Sequence, residues 1–220
     1  RLQRKLIGKL DAQDDAVLHK SVKTIVDQVD SMKRLVNEFR DYARLPSADL
    51  KPVQLNALVS DLMVLYANEP TDQVHRAPVI TELDPACPPI LGDEQQLRQV
   101  IHNLLQNAQD ACELKGEVPQ DARVGVRTEW NASRHRVRLI VTDTGPGFES
   151  NILKRAFEPY VTTKAKGTGL GLAVVKKIAD EHAARIELSN VMQDGEIQGA
   201  QVSLSFALEP ATDRSNQPVH

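Results

Sequence analysis

The sequence predicts an α+β layered sandwich preceded by a truncated helical hairpin, and three patterns point there. From Val22 the apolar residues fall at Val22, Ile25, Val29, Met32, Val36, Phe39 and Ala43, a three-four alternation that marks the seam of a coiled coil or helical bundle. Beyond Pro46, short segments of strand character interleave with helical ones. The strand segments come mostly in hairpin-like pairs and not in strict βαβ order, which favours an antiparallel-rich sheet with segregated helices over a doubly wound fold.

With 220 residues and 41% hydrophobic content, the chain can bury one medium core plus an appendage. A net charge of -3 implies no general attraction to nucleic acid or to a membrane surface. Cys87 and Cys112 form no C-x-x-C pair and have no histidine at ligand spacing, so free thiols in a reducing compartment, by default the cytoplasm, are expected. No apolar run approaches the length of a membrane span, and residues 1–10 lack the apolar core of a signal peptide. The chain opens inside helical sequence without an initiating Met, which reads as a boundary within a longer protein.

Element by element, Leu2, Leu6 and Leu10 share one face of a short helix, and residues 11–14 make a polar connection with Asp14 or Asp15 as N-cap. A long helix follows over 15–44 and stops at Pro46. Residues 46–52, with two prolines around a Ser and an Asp, read as a hinge, dividing a partial hairpin over 1–45 from a second domain over 53–209. In that domain, spacing predicts a helix over 55–67, a strand over 79–83 and a helix from an Asp93 cap to about 114. Strands over 124–129 and 137–142 are joined by a polar turn at 131–134. A short helix near 152–157, a helix over 169–182, and strands over 185–189 and 200–206 around a turn at Asp194 and Gly195 complete the domain. The polar tail over 210–220 is expected to be disordered.

Three constellations carry chemistry. On the predicted helix from 93, Leu97, Val100, Ile101, Leu104, Leu105 and Ala108 form the apolar stripe, while Asn103, Asn107 and Asp110 follow at i, i+4 and i+7 on a neighbouring face. Asparagine is a poor helix former, so its repetition one turn apart asks for a reason. A carboxamide oxygen is a hard, neutral ligand suited to a Mg2+ ion held mainly by phosphates and water; the plain alternative is a solvated polar edge on a core helix. The second constellation, Thr142-Asp143-Thr144-Gly145-Pro146-Gly147-Phe148, follows an apolar strand. A carboxylate there can accept from an exocyclic amine such as adenine N6, and glycines let backbone approach a flat base, although the same residues also make an ordinary tight turn.

The third, Lys166-Gly167-Thr168-Gly169-Leu170-Gly171-Leu172, opens onto a helix. Alternate glycines expose backbone N–H groups and the helix N-terminus favours phosphate, but neither the P-loop nor the G-x-G-x-x-G pattern is matched, and a ligand-free glycine loop competes. Between the last two lies Phe157-Glu158-Pro159-Tyr160-Val161-Thr162-Thr163-Lys164, polar and aperiodic, which suits a movable lid with Lys164 or Lys166 near phosphates.

In sequence, order and spacing, the asparagine helix, the D-T-G-P-G-F loop, the F-E-P-Y segment and the G-T-G-L-G-L loop resemble the N, G1, F and G2 boxes of sensor histidine kinases. The resemblance covers roughly 53–208 and sits within the wider ATPase group of gyrase, Hsp90 and MutL. It implies an ATP-binding α/β sandwich in which Asn107 coordinates Mg2+, Asn103 lies beside the phosphates, and Asp143 binds the adenine amine. It further implies that Gly145 and Gly147 shape the base pocket, and that Thr168, Gly169, Leu170 and Gly171 cradle the phosphates. Asp110, Thr163, Lys164 and Gly167 join the nucleotide contacts, Lys164 together with Asn103 and Asn107 in the catalytic set. The helix ending Val-Asn-Glu-Phe-Arg-Asp-Tyr-Ala-Arg-Leu-Pro is similar to the second dimerisation helix of nitrogen-regulation, NtrY-type sensor kinases, which are membrane proteins. A homodimer through the hairpin, a response-regulator receiver domain as partner, and attachment to the membrane only through segments outside this chain are what the resemblance implies.

One departure stands out. Such kinases phosphorylate a histidine followed by an acidic residue, and none of the six histidines here has that context. His19 precedes Lys-Ser, His75 Arg-Ala, His102 Asn-Leu and His182 Ala-Ala; His135 sits in a basic turn and His220 is terminal. The acceptor is therefore expected upstream of Arg1, and this chain is expected to bind ATP without its own acceptor. Two other readings stay open: an ATP-dependent serine kinase of the anti-sigma type, and a nucleotide-sensing module without transfer.

Overall fold

The structure, a computed structural model, describes residues 12–43, 45–68, 76–113, 117–164 and 167–208. They fall into two compact units. One holds helix α1, Ala12–Ala43, together with the segment Thr162–Thr168; the other begins at Pro46 and carries the sheet.

The predicted arm containing Leu2, Leu6 and Leu10 and the tail over 210–220 lie outside the described residues. Helix α1 begins at Ala12, earlier than expected, so Asp14 and Asp15 sit in its first turn and do not cap it. Their charges there complement the positive end of the helix dipole, which is why acidic residues suit either role. The apolar seam is exposed along this helix: Ile25, Val29, Met32, Val36 and Phe39 all face solvent.

In the second unit, a two-stranded antiparallel sheet pairs β1, Lys51–Val53, with β3, Ile90–Gly92. Neither strand was foreseen, because three residues are too few to show a period. This pairing changes the status of residues 46–52. Pro46 offers its carbonyl to Gln96 Nε2 at 2.9 Å, and the Asp49 N–H donates to Asp93 Oδ2 at 3.1 Å. The expected hinge is thus hydrogen-bonded into the sheet unit.

Helix α2, Leu55–Asn68, buries Leu55, Leu58, Val59 and Leu62. The main sheet has five strands in the order β2-β4-β5-β7-β6, where β2 is Val79–Leu83, β4 Val124–Asn131, β5 Arg136–Asp143, β6 Arg185–Gln193 and β7 Glu196–Ala207. Three pairings are antiparallel; β2 runs parallel to β4, from Val79 opposite Val124 to Leu83 opposite Thr128. The mixed sheet agrees with the α+β expectation. Val126, Val137, Leu139, Val141, Val202, Leu204 and Phe206 are buried from it.

Helix α3, Glu94–Cys112, and helix α5, Gly171–Glu181, supply the apolar layer above. Leu97, Val100, Ile101, Leu104, Leu105 and Ala108 of α3 are buried as the stripe predicts, and Ala173, Val174, Val175, Ile178 and Ala179 of α5 join them. A short helix α4, Ser150–Leu153, replaces the longer one expected there. Helix α5 starts two residues later than expected because Gly169 has φ +70°, outside the helical region.

Candidate functional site

Asp93 begins the arrangement by capping α3: its Oδ1 accepts from the N–H groups of Gln95 and Gln96 at 3.0 and 3.1 Å. Burial alone would raise this carboxyl, but the backbone N–H groups of Asp49, Gln96 and Gln95 outweigh it and hold it below the usual carboxylate range. The cap fixes the start of the helix that carries Asn103 and Asn107, both half-buried, and Asp110, which is exposed and accepts from Gln106 Nε2 at 2.8 Å. Gln109, on the next turn's inner side, donates to the Ala77 carbonyl at 2.8 Å and ties α3 to the residues before β2.

Asp143 ends β5. Its Oδ1 accepts from Gly145 N–H at 2.9 Å and from Ala200 N–H at 3.2 Å, so the carboxylate is oriented by its own loop and by β7. Gly145 lies against the end of α3: a Cβ there would sit 2.6 Å from the Ala111 carbonyl oxygen. Gly147 has φ +76° and is hemmed by Ile197 and Asn190. Asn190 on β6 clamps the loop from both sides, accepting from Phe148 N–H at 2.7 Å and donating to the Phe148 carbonyl at 2.9 Å. Thr144 accepts from Arg123 N–H at 3.0 Å, beside the buried Cys112 thiol. The D-T-G-P-G-F segment is therefore held between α3, β6 and β7.

The glycine loop meets α3 on the same side. Leu170 is fully buried and no side chain caps α5, while a Cβ on Gly171 would lie 3.5 Å from the Asn107 amide nitrogen. Just before it, Gly169 accepts from Tyr160 N–H at 3.0 Å, which closes the loop 160–169 at its base, with Tyr160 itself at φ +68°. Thr163, Lys164, Gly167 and Thr168 belong to the segment Thr162–Thr168 of the other unit; there Lys164 N–H donates to Thr162 Oγ1 at 3.1 Å and Gly167 N–H to the Lys164 carbonyl at 3.1 Å. Lys166 lies outside the described residues.

Of the expected site residues, the structure thus brings Asn107 against Gly171 and sets Asp143, Gly145 and Gly147 in one loop at the C-terminal end of the asparagine helix. These groups fit a nucleotide in kind: a carboxylate held by backbone amides for a base, uncapped N–H groups of a helix for phosphate, and a carboxamide facing them. His102 is exposed and pairs through Nδ1 with the Tyr66 hydroxyl at 2.8 Å, while His19 is exposed beside Asp15. Asn190, Gln109 and the Gly199-Ala200 backbone were not anticipated. Their roles are contacts between distant segments, and the only local hint is a lone asparagine in an alternating strand.

The family described as "Histidine kinase-, DNA gyrase B-, and HSP90-like ATPase" matches residues 92–210. Nitrogen regulation protein NtrY of Azorhizobium caulinodans is 33% identical over 95% of this chain, which spans 26% of that protein's length. Among solved structures, full-length ShkA in complex with AMPPNP superposes at a TM-score of 0.63 with 27% identity, over 94% of this chain and 42% of that one. Histidine kinase ThkA in complex with the response regulator TrrA gives a TM-score of 0.66 at 22% identity, over 92% and 54%, a likeness of fold. With the motif order, the mixed sheet and a family match over more than half its length, the chain belongs to the histidine kinase-, DNA gyrase B- and HSP90-like ATPases, with sensor histidine kinases as its relatives.

Proposed function

We propose that this chain is the kinase core of a two-component sensor histidine kinase, which binds Mg-ATP and passes its γ-phosphoryl group to a histidine outside this chain, and thence to a response-regulator aspartate. The observation that carries the reading is the apposition of Asn107 to the N-terminus of α5, beside the oriented carboxylate of Asp143. Asp143 accepts the adenine amine, and the loop through Gly145 and Gly147, packed against Ala111, Ile197 and Asn190, shapes one side of the base pocket. Backbone N–H groups from Gly169 to Gly171 hold the phosphates, with Asn103 and Asp110 on the neighbouring helix; Thr163, Lys164, Gly167 and Thr168 join the nucleotide contacts on the motif resemblance alone. Asn107 contributes its carboxamide oxygen to the shell of Mg2+, which supplies charge neutralisation at the phosphates. These residues orient and neutralise; the attacking imidazole comes from elsewhere.

The exposed stripe of Ile25, Val29, Met32, Val36 and Phe39 supports pairing with a second copy in a helical bundle. Among the described residues no helix is long and apolar enough to cross a membrane.

The test is to incubate the 220-residue chain, and a version extended upstream in its parent protein, with Mg2+ and γ-labelled ATP. Acid-labile, base-stable label on the extended version alone is the expected result. Label on the present chain would make His19 or His102 a substrate, acid-stable label on serine would replace the reading with a serine kinase, and ATP binding without label on either would leave a nucleotide-sensing module.

A further inference from the structure

His182 is buried, and both of its ring nitrogens are committed. Its Nδ1 faces the Ile178 carbonyl at 2.8 Å and its Nε2 faces the Asp93 backbone N–H at 2.9 Å. A carbonyl can only accept and an N–H can only donate, so the ring is a neutral imidazole with its proton on Nδ1 and a lone pair on Nε2. The first bond is internal to the end of α5. The second crosses to the residue that caps α3, whose side chain also holds Asp49. A Cβ added at Gly92 would lie 3.3 Å from His182 Cδ2, so the ring is seated against the backbone as well.

Helices α3 and α5 therefore meet at two places in antiparallel order. Gly171 at the start of α5 abuts Asn107, and His182 just past its end is bonded to Asp93 before the start of α3. These two points are roughly 16 Å apart along α5. Between them α5 offers Ala173, Val174, Val175, Ile178 and Ala179, apolar side chains whose packing is non-directional and sets helix register weakly. The hydrogen bond at His182 is directional and sets it sharply.

We propose that His182 is a positioning residue of the nucleotide site: through its Nε2 it pins α5 lengthwise against α3, and this register places the phosphate-holding N-terminus of α5 opposite Asn107. The inference rests on the Mg-ATP reading given above and adds a residue at the far end of the helix pair to the groups that make that site work. Slippage by one residue moves the loop about 1.5 Å past Asn107, a displacement that spoils shared coordination of metal and phosphate but leaves the base loop at Asp143 untouched.

Two substitutions separate the acceptor from the ring. In His182→Gln the side-chain oxygen falls where Nε2 was and still accepts from Asp93 N–H. In His182→Asn the shorter amide keeps only the donor to Ile178. ADP affinity of the 220-residue chain is measured by titration calorimetry with and without Mg2+, alongside thermal unfolding. The expected result is that the Mg2+-dependent gain in affinity falls roughly tenfold in His182→Asn and is kept in His182→Gln, with Mg2+-free affinity alike in both. Loss of the gain in both variants, or in neither, overturns the proposal. A wild-type chain with no Mg2+-dependent gain removes the functional reading first, and the proposal with it. A second measurement needs no substitution: by linkage, Mg-ADP must slow hydrogen exchange of the Asp93 amide more than that of buried β5 amides such as Leu139. Equal slowing overturns the proposal even where His182→Asn does not fold.

Discussion

At Gly199 a single hydrogen atom in place of a side chain decides whether the end of β5 and the loop after it can pack against β7. A Cβ there would overlap the Asp143 carbonyl oxygen, which belongs to the backbone of a central strand and cannot step aside. Gly195 also has a positive φ, +85° against +155° at Gly199, but open space around it. The two therefore separate crowding from backbone strain: Gly199→Ala is expected to destabilise the chain by about 3 kcal/mol and Gly195→Ala by about 1 kcal/mol, read from urea unfolding midpoints. Equal effects would mean that strain alone matters. The segment from Asp143 to Phe148 was legible as a loop after an apolar strand because Asp, Gly and Pro are turn formers. Gly199 was not, since its reason is a carbonyl that precedes it by more than fifty positions in the chain.

Helix α5 shows the same division at the level of an element. Its apolar face was readable from spacing, and its end was placed correctly at His182, the C-cap, whose N–H turns back to Ile178 and Ala179. The next residue, Ala183, has φ +48°, and Ala184 N–H returns to the Ala179 carbonyl at 2.8 Å, the closing bond of a left-handed helix terminus. Glycine usually occupies that position because an L side chain is crowded there. Ala183→Gly is expected to stabilise the chain by about 0.5 kcal/mol, the relief of strain exceeding the added freedom of the unfolded chain, with a small rise in Tm on a thermal scan. A drop in Tm would show that Ala183 makes a packing contact worth more than its strain. The β1-β3 ladder is the opposite case: nothing in three residues betrays a strand, and only the pairing of residue 51 with residue 92 makes one.

Across the whole sheet unit, Asp84 and Asp93, like Asp143, tie chain segments together by accepting backbone N–H groups. Asp84 accepts from Trp130 and Ala86, both at 2.9 Å, and these bonds hold its carboxyl below the ordinary range; Asp93 joins residue 49 to the start of α3. Aspartate in an unfolded chain takes up its proton near pH 3.9, above the folded value of either group. On acidification the unfolded state therefore binds protons first, so the stabilisation is complete above about pH 5 and is lost as pH falls through the lowered folded values. The urea midpoint should be level near neutrality and drop below about pH 4, and Asp84→Asn should start lower at neutral pH yet fall less steeply in acid. A variant with an unchanged acid limb would remove Asp84 from the account.

By itself the sequence determined the family of the fold, the stripe of α3 and the order of the four motifs, because these are local patterns of period, spacing and neighbour identity. Tertiary structure decided which segments touch: that β2 lies parallel to β4, that Pro46 and Asp49 are bonded to the start of α3, that Asn190 clamps the loop at Phe148, and that His182 reaches Asp93. The physical reason is that a hydrogen bond between segments far apart in the chain places almost no demand on the residues beside either partner. Such a bond leaves no period to read, although it fixes where the helices lie and so where the site's groups converge.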